Sequence, residues 1–194
     1  MKGKALEGEL KGEELTELPI SEKMTWKEWR EKHPGTRILS VDGKENARNK
    51  LGKYFTSAKG FRGIKAKDKR LDTKTPIFAF HRSDKSFAIR YSDANGGKDL
   101  PLPGGGEVFL YRIKTDNIMR STAAFASATG FTKKDGQWVE DESGAVFDEA
   151  KRSFDDASVE RIGGFDTYWY NWSLNNPETE VYLPEHAEGS GSKK

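Results

Sequence analysis

The sequence predicts an α+β, β-rich fold of antiparallel strands carrying two short Trp-bearing helices that descend from an internal duplication. Three observations predict it. First, Trp26, Trp29, Pro34, Thr36 and Ile38 recur as Trp169, Trp172, Pro177, Thr179 and Val181, each pair 143 positions apart. Four of the five tryptophans lie in this gapless match, and chance rarely aligns so scarce a residue that often. Second, from Lys74 to Val139 short runs rich in Phe, Ile, Val and Tyr are separated by Gly, Asp, Asn and Pro, the pattern of strands and turns. Third, hydrophobic and charged residues stand almost level at 34% and 33%. Eleven Phe, six Tyr and five Trp must therefore supply most of the buried area, so aromatics dominate the expected interior.

The elements follow in chain order. Thr25 with Glu28 three residues later forms a capping box, Trp26 and Trp29 share a helix face, and His33-Pro34-Gly35 ends the helix. A strand from Thr36 to Val41 is expected next. Between Lys44 and Lys74 eleven Lys or Arg face only Glu45, Asp68 and Asp72, so this stretch reads as a basic connecting segment. Pro76 to Phe80 and Ser86 to Tyr91 flank His81 to Lys85 as a hairpin with a short polar turn. Asp93 to Gly97 breaks the chain, and Pro101 to Gly106 is a Pro/Gly loop. Glu107 to Ile113 and Thr122 to Ala128 read as strands, and Phe131 to Val139 as a hairpin with Asp135-Gly136 in the turn.

The second helix should start at Asp166 or Thr167, run through Asn175, stop at Pro177 and lead into a strand from Thr179 to Leu183. Upstream the duplication continues weakly: Gly3 to Glu7 resembles Gly144 to Asp148, and Leu15 and Leu18 resemble Val159 and Ile162. The expected organisation is a tail of a first repeat over 1–43, a basic connection over 44–75 and a complete second repeat over 76–184. A Gly/Ser/Lys-rich tail without fixed structure over 185–194 completes one compact domain.

Composition excludes several chemistries. The absence of cysteine removes disulfides, thiolate metal sites and cysteine nucleophiles. No apolar run reaches the roughly 18–20 residues that cross a bilayer, and the charged start, Met1 to Leu15, has no apolar signal core, so a soluble chain without an export signal is expected. The three histidines, His33, His81 and His186, show no zinc-binding spacing. Glu140, Asp141, Glu142, Asp148, Glu149, Asp155 and Asp156 offer oxygen ligands or paired carboxylates but lack the EF-hand order. Gly104 to Gly106 opens no phosphate-cradling helix, and no nucleophile elbow is present. The expectation is no cofactor and no metal.

Two clusters remain as candidate sites. His81, Arg82, Asp84 and Tyr91 combine a histidine suited to proton transfer with polar partners around one hairpin. Arg48, Lys50, Lys53, Arg62, Lys65, Lys67 and Arg70, interspersed with Tyr54, Phe55 and Phe61, could hold a polyanion; the bland alternative is a solvated connection. Phe165, Tyr168, Trp169, Tyr170 and Trp172 could form a stacking platform, but their helical spacing favours core packing, with Tyr170 expected at the surface.

Several stretches agree, in order, with one family. They are Gly8 to Gly12 with Leu15 and Leu18-Pro19, Thr25 to Trp29 with His33-Pro34, Ala47 to Asn49, and Asp68 to Leu71 leading into Lys74 to Phe78. The last are Phe165 to Trp172 and Pro177 to Val181. Over roughly residues 3–183 the chain resembles the bacterial and archaeal domain of unknown function 3179. The resemblance implies a duplicated, strand-rich architecture, usually exported and hence extracytoplasmic, periplasmic or secreted, with no known activity. The first-repeat body usual in that family, with its Cys-Pro motif, has no counterpart here.

The first expectation is therefore a noncatalytic, extracytoplasmic binding or structural module with a protein or polyanionic partner. The alternatives are an enzyme or small-ligand-binding protein with a site near His81, Arg82 and Tyr91, and polyanion binding through Lys44 to Lys74.

Overall fold

The computed structural model describes residues 5–13, 24–39, 51–102, 104–113 and 122–182. Val41, Arg48, Lys50, His186 and the 185–194 tail, each the subject of an expectation above, lie outside the described residues. Among the described residues there are three short α-helices, α1 (Trp26–Lys32), α2 (Gly52–Thr56) and α3 (Trp169–Asn175). The longer strands are β1 (Pro76–Arg82), β2 (Lys85–Arg90), β3 (Lys98–Pro101), β4 (Glu107–Tyr111), β5 (Ala123–Ser127), β6 (Phe131–Lys134) and β7 (Gln137–Glu140). The shorter ones are β8 (Phe147–Asp148), β9 (Ser153–Phe154), β10 (Glu160–Arg161), β11 (Phe165–Tyr168) and β12 (Glu180–Tyr182).

Two four-stranded sheets form the centre, ordered β11-β1-β2-β12 and β10-β5-β4-β3, with β6-β7 and β8-β9 as separate hairpins. All pairings between these strands are antiparallel except β12 with β2. That exception follows from connectivity, because α3 carries the chain back and delivers β12 beside β2 in the same direction. The β1–β2 turn is tighter than the five residues expected. Only Ser83 and Asp84 lie between the strands, at φ 49° and 60°, the left-handed pair that suits a two-residue hairpin. Asp135 and Gly136, at φ 49° and 84°, repeat that solution between β6 and β7.

Both central sheets are buried on both faces. Phe78, Phe80, Phe87 and Ile89 of the first pack against Val108, Leu110, Ala124 and Ala126 of the second. On the outer face of the first sheet, Ile77, Ala79 and Ala88 meet Trp169, Tyr170 and Trp172. On the outer face of the second, Phe109, Tyr111 and Phe125 meet Phe131, Phe147 and Phe154. Burial on two sides explains why Ile77–Phe80 and Val108–Tyr111 are continuous apolar runs instead of alternating ones. Eight of the eleven phenylalanines are buried, as the composition requires. Packing is close at the β10–β11 connection, where a Cβ on Gly164 would lie 2.3 Å from the Phe78 ring and 2.8 Å from the Ala79 carbonyl oxygen.

The duplicated units share local geometry and differ in burial. In each, the second tryptophan donates its indole N–H to a threonine seven residues on, Trp29 to Thr36 and Trp172 to Thr179, both at 2.8 Å. The helix C-caps match too: His33 at φ −131°, ψ 68° and Asn176 at φ −134°, ψ 70°. The weak upstream match is also structural, since Gly12 N–H donates to the Ala5 carbonyl as Asp155 N–H does to that of Val146. Trp169 is fully buried, however, and its counterpart Trp26 is 46% exposed.

Two expectations about these units are corrected. The Thr25–Glu28 capping box is present in α1, but Tyr168 precedes α3 without a side-chain cap. Asp166 and Thr167 are strand residues paired with Phe78 and Ile77, so neither starts the helix. Residues 36–39 pair with no strand, whereas β12 has the β2 edge beside it. The same sequence pattern becomes a strand only where an edge is available to it.

Candidate functional site

The hairpin β1–β2 positions the first predicted cluster and pulls it apart. Ile77 pairs with Arg90 and His81 with Ser86, so Arg90 lies about 13 Å along the strands from His81 at ordinary strand rise and Tyr91 follows one residue further. His81 Nδ1 is 3.1 Å from the Ser86 hydroxyl, and its ring lies 4.9 Å from that of Trp172. Arg82, one residue on and hence on the opposite face, forms a two-pronged pair with Glu160 at 2.9 and 3.0 Å. Asp84 is exposed in the turn. The expectation of one site containing His81, Arg82, Asp84 and Tyr91 is thus corrected by strand pleat and register.

Tyr91 belongs to a buried polar group between the sheets. The Arg112 guanidinium stacks 3.5 Å from the Tyr91 ring centre and donates to Asp166 at 3.3 Å and Thr122 at 3.1 Å. Asp166 also accepts from the Thr122 amide at 3.0 Å and its hydroxyl at 2.8 Å. Burial pushes the Arg112 guanidinium below its ordinary value, against the pull of Tyr91 and Asp166. Burial, with the nearby Asp166 charge, pushes the Tyr91 hydroxyl well above its own.

Arg82 does face a cleft of about 780 Å³, lined also by Gly104–Gly106, Ser127, Glu140 and Glu160. Glu140 is 5% exposed and accepts from the Ser127 and Thr129 hydroxyls and from the amide and hydroxyl of Ser143. Burial alone would raise its carboxyl, but the bonds from Ser127 and Ser143 outweigh it and bring it down to about 2. Its folded value lies below the ordinary 4.5, so its ionised form stabilises the fold above that pH and loses this contribution as pH falls toward 2. The expected result is that Glu140→Gln flattens the acid limb of the wild-type urea-midpoint profile between those values. A parallel pair of profiles would refute the assignment. The sequence placed Glu140 among several acidic residues able to offer oxygen ligands, and nothing in that run singles it out as the buried one, because its partners Ser127 and Thr129 lie on another strand and turn.

The basic segment is folded onto the body. The Lys74 ammonium lies 4.1 Å from the Tyr54 ring centre and 4.8 Å from that of Tyr168, and it donates to the Tyr54 carbonyl. The Tyr170 hydroxyl sits 3.2 Å from that of Tyr54 and accepts the Phe61 amide at 3.2 Å. Tyr170, expected at the surface, is 7% exposed because this segment covers it. Gly60 permits the closure, since a Cβ there would lie 2.8 Å from the Tyr170 ring.

Not every predicted cation remains available. Arg70 pairs with Asp68 at 2.6 Å, donates to the Thr179 carbonyl at 2.7 Å and stacks over Trp169, so it serves the fold. Lys53, Lys59, Arg62, Lys65 and Lys67 are exposed. None of these five is ion-paired among the described residues, and no acidic residue occurs from 51 to 67. Of the predicted set, Lys53, Arg62, Lys65 and Lys67 therefore share one exposed segment, joined by Lys59.

No helix among the described residues is long and apolar enough to cross a membrane, and no group of three or more His, Asp or Glu among them could hold a metal ion. No curated protein and no solved structure matches the chain. The duplicated strand-rich architecture agrees with the resemblance seen in the sequence, and residues 1–179 match the family described as protein of unknown function DUF3179; this chain belongs to that family.

Proposed function

We propose that the protein is a noncatalytic extracytoplasmic binding module whose working surface is the basic segment, and that it binds polyanions. The observation that carries this reading is the run from 51 to 67, with five exposed cations and no acid. The net charge is only +2, so attraction for a polyanion depends on this local concentration of charge, not on the whole molecule. The anchoring of the run by Lys74 and Tyr170 holds those charges in place before binding, which lowers the entropy lost on association.

Retention on immobilised heparin tests the reading. Five cations that displace counterions give a salt dependence with a slope of about −3.5 to −4.5 in log K against log salt. Charge reversal by Lys53→Glu, Lys65→Glu and Lys67→Glu together should bring elution to much lower salt. Absence of retention at low salt, or elution unchanged in the triple variant, would overturn it.

A second reading is favoured by one observation, the cleft beside Arg82. Its wall of Arg82, Ser127 and the Gly104–Gly106 backbone suits a small polar ligand, and this reading stands independently of the basic segment.

A further inference from the structure

Two of the three exposed phenylalanines lie together. Phe55 and Phe61 lie in the basic segment, 42% and 53% exposed, and Leu51 and Ile64 beside them are 51% and 42% exposed. Leu51 immediately precedes α2 and Phe55 is four residues on, so both share one helical face. The Phe55 and Phe61 rings both touch the Tyr54 ring, at 5.4 and 6.5 Å between centres. Tyr54 is itself held by Lys74 and Tyr170. Phe61 and Ile64 close one tight turn through the Ile64 amide and the Phe61 carbonyl at 3.2 Å. Within it Arg62 adopts the left-handed φ of 55°, with its guanidinium 5.3 Å from the Phe61 ring centre.

This segment therefore presents four apolar side chains, interleaved with five exposed cations, on a braced base. Eight phenylalanines of this chain are in the core, so exposing two here is against the trend of the whole molecule. Cations alone would suit any polyanion, but the apolar residues need a partner that is both negatively charged and oily. Stacking on nucleic-acid bases would use the two rings but not Leu51 or Ile64. An interfacial lipid layer uses all four, with cations at the headgroups and apolar tips in the acyl boundary.

We propose that the polyanion is the surface of an anionic phospholipid bilayer, with Leu51, Phe55, Phe61 and Ile64 inserted among the headgroups and Lys53, Lys59, Arg62, Lys65 and Lys67 paired to lipid phosphates. This rests on the binding reading above and names its partner. Each cation near the surface contributes about a fivefold gain in partitioning, and the apolar insertion supplies a part that salt does not remove.

Flotation of the whole chain with vesicles tests it, using phosphatidylcholine alone or mixed with phosphatidylglycerol. The protein should float with the mixed vesicles and not with phosphatidylcholine alone. Phe55→Ser with Phe61→Ser should weaken that binding at least about tenfold, with heparin elution and the circular dichroism spectrum unchanged. Ile64→Ser, in the neighbouring turn, should act in the same direction. Heparin binding without vesicle binding would overturn the lipid proposal and leave the polyanion reading standing. Vesicle binding indifferent to both apolar variants would overturn it too, as would Phe55- and Phe61-dependent binding to a single-stranded oligonucleotide with none to vesicles. Failure on both heparin and vesicles would remove both readings.

Discussion

Trp169→Ala will lower the unfolding free energy by about 3–5 kcal/mol, the usual range for truncating a fully buried tryptophan, while Trp26→Ala will change it by no more than about 0.5 kcal/mol. Trp169 is fully buried in a cluster with Ile77, Ala79, Ala88 and Leu71. Its indole donates to the Asp68 carbonyl at 3.1 Å and Arg70 covers the ring at 5.4 Å. Truncation leaves a cavity under α3, an orphaned carbonyl and a guanidinium without its stacking surface, and these costs add to the lost transfer energy. Trp26 holds the same place in the first copy and is 46% exposed, so its removal opens no cavity. Urea denaturation of the two variants measures both. Equal losses would mean that the first copy is packed as tightly as the second.

Asp166→Ala should be of similar size, about 3–5 kcal/mol, because removing one member of a buried pair leaves the other charge without its counterion. Both side chains of the pair are nearly inaccessible, 4% for Arg112 and 7% for Asp166. Asp166 also accepts the Thr122 amide and hydroxyl, so its loss releases three donors at the junction of the two sheets. The double variant Asp166→Ala, Arg112→Met should regain a large part of the loss, since the buried positive charge that Asp166 offset is then removed as well. A double variant no more stable than Asp166→Ala would show that Arg112 finds solvent and that the single-variant cost lies in the Thr122 bonds. Thermal and urea unfolding of the three proteins distinguishes these cases.

The β-rich class, the duplication and both hairpins were legible because turn chemistry and Trp spacing are local signals. Asp135-Gly136 announces its own turn, and a Thr-x-x-Glu box announces its own helix. What the sequence hid was whatever depends on which edge or face lies nearby. Asp166 has the chemistry of a cap and is used as the acceptor of a buried arginine. Tyr170 looks like the polar tip of a helix, and a glycine turn with Gly60 at its edge closes over it. Strands of two residues such as β8 and β9 are too short for any periodicity to register.

The candidate surfaces divide in the same way. The basic run could be counted from the sequence, but which cations are engaged by the fold could not, because Lys74 and Arg70 are set apart from Lys53 and Lys65 by their neighbours in space. The cluster around His81 failed for the opposite reason. Its members are close in sequence, and a hairpin with a two-residue turn sends such neighbours to different faces and different ends.

The indole–threonine clasp that occurs twice at 2.8 Å gives the chain an internal reference for amide hydrogen exchange. The Thr36 amide donates to the His33 carbonyl at 3.1 Å and the Thr179 amide to that of Asn176 at 3.2 Å, so the local bonding of the two protons is closely matched. Thr179 is 1% exposed and Thr36 lies at the surface. The Thr36 proton should therefore exchange through local opening, within a small factor of the free-peptide rate, while the Thr179 proton waits for a much larger unfolding event. The ratio of the two rates is a direct reading, inside one molecule, of how much persistence a motif acquires when a sheet is laid against it.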